Sequence, residues 1–366
     1  MRISTIFFTG FPGFLGTELL PLVLAREAKE TTATCLIQAK FRAMAEGRVA
    51  ELVAAHPALT DRIVLVDGDI TATDLGLGRA YDAIAADATE VFHLAAVYDL
   101  AVPRALAMQV NVDGTRNVCD FAEAAAARHQ YVSTCYVSGR ITGVFSEDDL
   151  VIEGQTFNNF YEETKHLAEV IVRERMDAGH PTTIYRPAVV SGDSTTGATQ
   201  KYDGPFFFIR LVDKQPGPVA VLPTVGDADA YTFNFVPRDF VVQAIAELSR
   251  KKSTIGMCFQ LADPRPMSIR QLVEAIGKAA GRRIVTVPVP IELAKGAIDK
   301  IPGVQGLLEL PSDSVNYLSH PVHYGSSNTQ RMLADTDIAM PDHDVWLSHL
   351  VAFFRANPDI TSAAMV

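Results

Sequence analysis

A chain of 366 residues that is 48% hydrophobic and 20% charged can bury a large core without disulfides or structural metals. Its formal charge of −11 argues against nucleic acid as the main partner, although a local basic pocket can still bind an anion. The N-terminal run MRISTIFFTGFPGFLG lacks the basic start and small-residue cleavage site of a signal peptide, and no apolar run reaches the roughly 18 residues of a membrane span. The expectation is a cytoplasmic protein with no integral membrane segment. Cys35, Cys119, Cys135 and Cys258 form no CxxC pair and read as buried thiols in a reducing compartment.

The first half alternates short apolar strands with amphipathic helices. Strands are predicted at Ile3–Thr9, Ala33–Ala39, Arg62–Val66, Glu90–Ala95, Gln130–Thr134 and Thr182–Val190. Helices are predicted at Phe14–Ala28, Phe41–Ala55, Val102–Ala127 and Phe160–Ala178. This alternation implies an α/β fold, a Rossmann-type doubly wound parallel sheet buried on both faces. After Val190, glycine and proline become frequent, and a smaller substrate-binding lobe is expected. The segment NFVPRDFVVQAIAELS regains a helical pattern and suits a return to the sheet. The expected division is therefore a nucleotide-binding domain over 1–190 with 232–262 returning to it, and a partly discontinuous C-terminal lobe from 191–231 and 263–366. Beyond about residue 300 only helices and loops are legible, with Trp346 the single tryptophan.

TGFPGFLG lies between the first strand and its helix. Gly10 permits a tight turn, Gly13 lets a pyrophosphate approach the backbone, and Gly16 lets helix and strand pack closely. The helix start then attracts phosphates, with Pro12, Phe14 and Leu15 bordering them. NAD binders usually carry an acid at the end of the second strand, to accept from the adenine ribose. Here that strand ends CLIQAKFR, and Lys40 and Arg42 suit the 2′-phosphate of NADP(H). Asp69 and Ile70 are placed where an adenine edge would lie, although an aspartate here also suits a turn. Ala95 and Ala96, followed by Val97, let a cofactor cross the sheet edge.

Tyr161 and Lys165 stand four apart at the start of a helix, on one face and one turn apart. A lysine ammonium favours the phenolate, so Tyr161 can exchange a proton with a carbonyl oxygen. Thr134 ends the fifth strand at the ligand-binding edge, where its hydroxyl can hold that carbonyl. Asn111, in NVDGT, is placed to hold a water that links Lys165 to solvent. Cys135 should point away from the site if the strand persists, because strand side chains alternate faces. His93 reads as a satisfied packing histidine and not a base. No His/Cys/Asp/Glu cluster has metal-ligand spacing.

The order TGFPGFLG, DGDIT, HLAAVYDL, NVDGT, VSTCYVSG, YEETK and YRPAVVSGDSTTG resembles the extended short-chain dehydrogenase/reductases over about residues 3–245. More narrowly it is similar to the branch of fatty acyl-CoA reductases and carrier-protein thioester reductase domains. The resemblance implies Thr134, Tyr161 and Lys165 as the catalytic triad with Asn111 in support. It also implies nicotinamide contacts from the segment Pro187 to Val190, hence Pro187, Val189 and Val190. The reaction it implies is NADPH-dependent hydride transfer to an apolar carbonyl, in an acyl thioester, aldehyde or ketone. GPFFFIRLV, residues 204–212, is either an acyl-chain channel or core. Two other readings share the scaffold: a nucleotide-sugar epimerase or dehydratase with retained NAD, and a non-catalytic NADP-binding regulator. A homodimer through the long helices is common in this fold.

Overall fold

A computed structural model describes residues 4–300 and 312–361. The parts of the expected second lobe at 301–311 and 362–366, and Ile3 of the first predicted strand, lie outside the described residues. Seven parallel strands form the central sheet: β1 (Thr5–Thr9), β2 (Thr32–Ile37), β3 (Ile63–Asp67), β4 (Ala88–His93), β5 (Arg128–Val132), β6 (Thr182–Pro187) and β7 (Cys258–Leu261). Their order is β7-β6-β5-β4-β1-β2-β3, so the winding reverses between β1 and β4. A crevice opens at the carboxyl ends of strands at such a reversal.

Neighbouring residues of β1 face opposite layers, as the strand repeat requires. Phe8 packs with Leu20 and Val23 of helix α1 (Phe14–Ala25), and with Val241 and Ile245 of a later helix. Phe7 turns to the other layer and lies 4.2 Å from Phe121, ring centroid to centroid. The helices that follow in the chain are α2 (Arg42–Ala55), α3 (Tyr81–Asp87), and the pair α4 (Arg104–Ala107) and α5 (Gly114–Ala124). The predicted single helix over 102–127 is thus two helices joined by a π-helical turn, Met108–Asp113, which contains Asn111. Such turns re-aim side chains at the cost of regular hydrogen bonding. Helix α6 (Phe160–Asp177) starts where Asn159 Oδ1 accepts from the Glu162 N–H at 3.0 Å, with Glu162 and Glu163 in its first turn.

Several boundaries differ from the sequence expectation. β5 ends at Val132, although Ser133 N–H still donates to Tyr185 O of β6 at 2.7 Å, and Thr134 lies beyond the ladder. The predicted strand over 182–190 breaks after Pro187. Val189–Ser191 leaves the central sheet and pairs with Phe235–Pro237. Two helices follow, α7 (Pro205–Asp213) and α8 (Arg238–Arg250). Helix α8 packs on α1 and leads into β7, the last strand of the sheet.

A second apolar cluster is built on α7, α9 (Ile269–Ala280) and the C-terminal helix His343–Ala356. A parallel ribbon of Val219–Val225 and Arg283–Val289 flanks it, and helix Ile291–Lys300 follows the ribbon. Trp346 is fully buried there, and its indole N–H donates to Gly192 O at 3.1 Å. Beyond residue 311 the chain also forms a strand, Val322–Tyr324, parallel to Gly143–Phe145, and a short helix, Ser327–Leu333. Phe206 and Phe208 belong to the second cluster, against Tyr202 and Phe354 and against Phe233. Phe206, Phe208, Ile209 and Val212 are therefore core, with Phe207 and Leu211 half-buried, and none of residues 204–212 lines the crevice as the channel expectation requires. Their helix turns these rings into the lobe, away from the crevice.

Candidate active site

A cavity of about 660 Å³ occupies the crevice at the carboxyl ends of β1 and β4. The glycine loop forms its floor. Gly10 has φ +92°, and a Cβ there would lie 2.8 Å from Ala95 N. A Cβ on Gly16 would lie 2.5 Å from Gly10 O, so the helix approaches the loop only without a side chain. Helix α1 begins at Phe14 with no side-chain cap and no acid in its first turn, which leaves its N–H groups to the cavity. Thus Gly10, Pro12, Gly13, Phe14, Leu15 and Gly16 all line it, as do Ala95, Ala96 and Val97 from the loop after β4. Pro187, Val189 and Val190 close the far wall where the chain leaves β6.

The adenosine end departs from expectation in part. Lys40 lines the cavity, but Arg42 does not. Arg42 turns to Asp67 at the end of β3, at 2.8 Å, and to Glu46 at 3.7 Å. The cation that joins Lys40 is Arg48, further along α2, with Phe41 and Met44 between them. A helical repeat placed Arg48 there, and no signature at the strand end pointed to it. Asp69 lines the cavity with Ile70, yet its carboxylate is taken by protein donors: Thr71 N–H at 2.9 Å, Thr71 hydroxyl at 2.8 Å and Gln38 amide at 2.9 Å. Asp69 builds the turn, and Gln38 is anchored by it.

Thr134, Tyr161 and Lys165 meet at the opposite end. Thr134 sits in extended backbone at the start of a 3₁₀ turn and accepts from Tyr136 N–H at 3.3 Å. Its hydroxyl donates to Pro187 O at 3.4 Å. Burial pushes the Tyr161 phenol above its ordinary value, a push that the nearby Thr134 hydroxyl partly offsets. Lys165 donates to Tyr131 Oη and to Val132 O, both at 3.0 Å. Burial pulls the Lys165 ammonium down to about 7, while Glu169 one turn along opposes the fall. Burial, with the Glu162 and Asp203 carboxylates nearby, favours the neutral phenol of Tyr161, the form a proton donor needs.

Asn111 does not line the cavity. Its Oδ1 accepts from Val97 N–H at 2.9 Å, and its amide nitrogen donates to Val97 O at 3.3 Å and Thr164 Oγ1 at 3.1 Å. The amide is thus filled by protein partners and clamps the loop after β4 to α6. That differs from the expected water-holding role.

Cys135 is buried, but not for the alternation reason, because the strand has already ended. Its Sγ donates to Arg186 O at 3.0 Å, and burial raises the thiol far above its usual range. Cys35, Cys119 and Cys258 are likewise free and buried. His93 is buried and satisfied as expected, with its ring nitrogens 2.8 Å from Thr9 Oγ1 and 3.0 Å from Thr115 Oγ1.

The cavity mouth holds residues that sequence reasoning missed. Tyr98 stands edge-on to Tyr161, with ring centroids 5.1 Å apart. Lys201 Nζ lies 4.5 Å over the Tyr98 ring and 3.7 Å from Asp203. Burial pushes the Asp203 carboxyl up to about 6, with Lys201 pulling against it. Tyr98 was within the motif HLAAVYDL, but Lys201 and Asp203 come from a loop whose return to the site only the fold decides. Among the described residues no group of three or more His, Cys, Asp or Glu side chains is arranged to hold a metal ion, and no helix is long and apolar enough to cross a membrane.

The family model described as male sterility protein, an NAD-binding domain, matches residues 8–245. The chain belongs to this family. Its scaffold is that of an extended short-chain dehydrogenase/reductase, an oxidoreductase that binds a nicotinamide dinucleotide. Similar solved structures include the terminal R domain from the myxalamid PKS-NRPS biosynthetic pathway, at TM-score 0.81 and 26% identity, covering 98% of this chain and 92% of that one. UDP-glucuronic acid 4-epimerase from Bacillus cereus shares the fold at TM-score 0.65 and 18% identity, covering 97% of each chain. Among curated relatives, the non-canonical nonribosomal peptide synthetase FrzA of a Cladobotryum species is 28% identical, over 81% of this chain and 32% of its own length. Aldehyde reductase lnbA of Aspergillus flavus is 28% identical, over 86% of this chain and 32% of its own length. This family member therefore spans about a third of the length of those relatives.

Proposed function

We propose that this chain is an NADPH-dependent reductase of an acyl thioester, aldehyde or ketone, with Tyr161 as general acid. The observation that carries the reading is that Thr134, Tyr161 and Lys165 line the same cavity as the glycine loop. The glycine cradle fits a dinucleotide, since a Cβ at Gly10, Gly13 or Gly16 would strike backbone. The cofactor supplies the hydride. Lys40 and Arg48 are the residues that would hold a 2′-phosphate. At the other end, the Thr134 hydroxyl and the neutral Tyr161 phenol are two donors for the developing oxyanion, and the phenol gives up the proton. No covalent nucleophile is required, which agrees with the inert Cys135. The relatives support a thioester or aldehyde as substrate, and Tyr98, Lys201 and Asp203 border its entry.

The test is NADPH consumption with a long-chain acyl-CoA, the matching aldehyde, a hydrophobic ketone and a UDP-sugar. Oxidation with acyl-CoA and release of free thiol supports thioester reduction. Turnover of aldehyde or ketone alone narrows the reading to carbonyl reduction. Silence on all of them, with NAD carried through purification, overturns it in favour of an epimerase or dehydratase. Tyr161→Phe should lose about 10²–10⁴-fold in kcat while NADPH still binds; unchanged turnover would remove Tyr161 from the acid's role.

A further inference from the structure

The mouth of the cavity carries a charge that hydride transfer does not use. Tyr202 is turned into the second lobe, with its ring centroid 4.6 Å from that of Phe206 and 5.0 Å from that of Phe354. Its hydroxyl donates to Asn357 O at 2.7 Å and its N–H to Thr361 O at 3.1 Å. The loop is fixed by this anchor, and the residues on either side of it, Lys201 and Asp203, line the cavity instead. Among the described residues, the ion pair of Asp203 is with Lys201 Nζ at 3.7 Å, longer than a hydrogen bond. The same ammonium stands 4.5 Å over the Tyr98 ring, and that ring meets Tyr161 edge-on at 5.1 Å. A carboxylate beside an aromatic face is a seat for an ammonium. Lys201 marks that seat with its own side chain, one ring away from the general acid.

We propose that Asp203 and Tyr98 recognise an ammonium group on the substrate, a few bonds from the reacting carbonyl, and that Lys201 fills their site until the substrate arrives. The inference rests on the reductase reading above and names its substrate class: an amino-acyl thioester or an amino aldehyde, in place of a plain fatty one.

The two halves of the seat differ in how firmly they are held. Asp203 follows directly on the anchored Tyr202, so its carboxylate stays in place. Lys201 carries a compact charge on a flexible four-carbon stem, which swings into water at little cost. A substrate ammonium therefore displaces the lysine and not the acid. The methylenes between ammonium and carbonyl meet an apolar wall, since Val97, Leu106 and Val110 line the same cavity and pack with Tyr161.

The sign of the charge follows from the surroundings. Burial, with Asp203 nearby, keeps the Tyr98, Tyr136 and Tyr161 phenols protonated, so the wall offers neutral rings. An anionic substrate group would face the Asp203 carboxylate and the negative face of Tyr98, while Lys201 is already drawn to both. A cation is attracted by both.

The experiment has a binding arm and a turnover arm. In the first, 4-aminobutanamide and pentanamide are titrated calorimetrically into the protein with NADP+ at about pH 8. The two amides differ by an ammonium in place of a methyl, and neither is reducible. Wild type should bind the amino amide roughly 10-fold tighter. Asp203→Asn should bring the two affinities together, while Lys201→Met, which empties the seat, should widen the difference. Equal binding by wild type, a preference that survives Asp203→Asn, or a Lys201→Met variant that binds the amino amide more weakly would overturn the proposal. In the second arm, NADPH oxidation is followed with 4-(trimethylammonio)butanal and its neutral isostere 5,5-dimethylhexanal. The ratio of their kcat/KM values should favour the cation by roughly 10-fold in wild type and approach one in Asp203→Asn, chiefly through KM. That ratio is independent of any general loss of activity or folding in the variant. A wild-type ratio near one would overturn the proposal. Reduction of neither aldehyde would count against the reductase reading, and the amide titration would still decide the ammonium site.

Discussion

At Lys165 the needs of folding and of chemistry conflict. Burial draws its ammonium from 10.5 to about 7. A base whose folded pKa is depressed binds its proton more weakly in the native state, so it costs stability wherever the unfolded chain is charged. That cost is complete below about pH 7, shrinks as the pH rises, and is gone above 10.5. Lys165→Met should therefore melt at a higher temperature than wild type at pH 6, with the gain fading by pH 10 while turnover is lost throughout. A pH-independent difference between the two melting curves would contradict the shifted pKa. The adenosine end gives a second residue-scale prediction. Lys40→Ala combined with Arg48→Ala should weaken NADPH about 10–100-fold and leave NADH nearly unchanged, as titration of cofactor fluorescence would show. Equal effects on both cofactors would remove the 2′-phosphate contact.

Helix α6 and strand β6 are joined by charge as well as by packing. Arg186 and Glu169 are both completely buried and meet at 2.6 Å, while Glu169 also accepts from Ser133 at 2.6 Å and Arg173 at 3.1 Å. Burial alone would raise the Glu169 carboxyl, but Arg186 and Arg173 outweigh it and hold the group below its usual value. The pair locks the residue before Thr134 to the helix that carries Tyr161 and Lys165. Glu169→Ala leaves a buried guanidinium without its partner, and should cost about 3–5 kcal/mol in a urea melt. A loss below about 1 kcal/mol would show that the helix holds its place without the pair. These elements were legible as a strand and a helix from their patterns. Their ends were not: Ser133 N–H still donates to Tyr185 O, and whether Thr134 continues the strand depends on what β6 offers beyond that bond. The π-helical turn at Asn111 was equally hidden, because Asn111 leaves the regular repeat to reach Val97 and Thr164, partners 14 and 53 residues away.

Across the whole molecule the C-terminal helix ties the smaller lobe to the segment that leaves the sheet. Trp346 stacks on Phe235 with ring centroids 4.9 Å apart and bonds Gly192 O. Removing that ring by Trp346→Ala should cost about 3–5 kcal/mol, and the wall formed by Val189 and Val190 should loosen with it. Thermal denaturation checks the first effect, and a rise in KM that exceeds the fall in kcat checks the second. A variant as stable as wild type would mean that the lobe's core does not depend on this ring. Sequence alone determined the strand–helix alternation, the glycine loop and the chain order of Thr134, Tyr161 and Lys165. Those depend on local periodicity, on backbone that only glycine permits, and on a spacing of one helical turn. Tertiary structure alone decided that Arg48 lines the cavity and Arg42 does not, that Phe206 and Phe208 are core, and that Lys201 and Asp203 reach the mouth. It also decided that Lys165 leans on Tyr131. Each depends on which distant segment packs against the side chain, and burial and partner choice are properties of the packed whole.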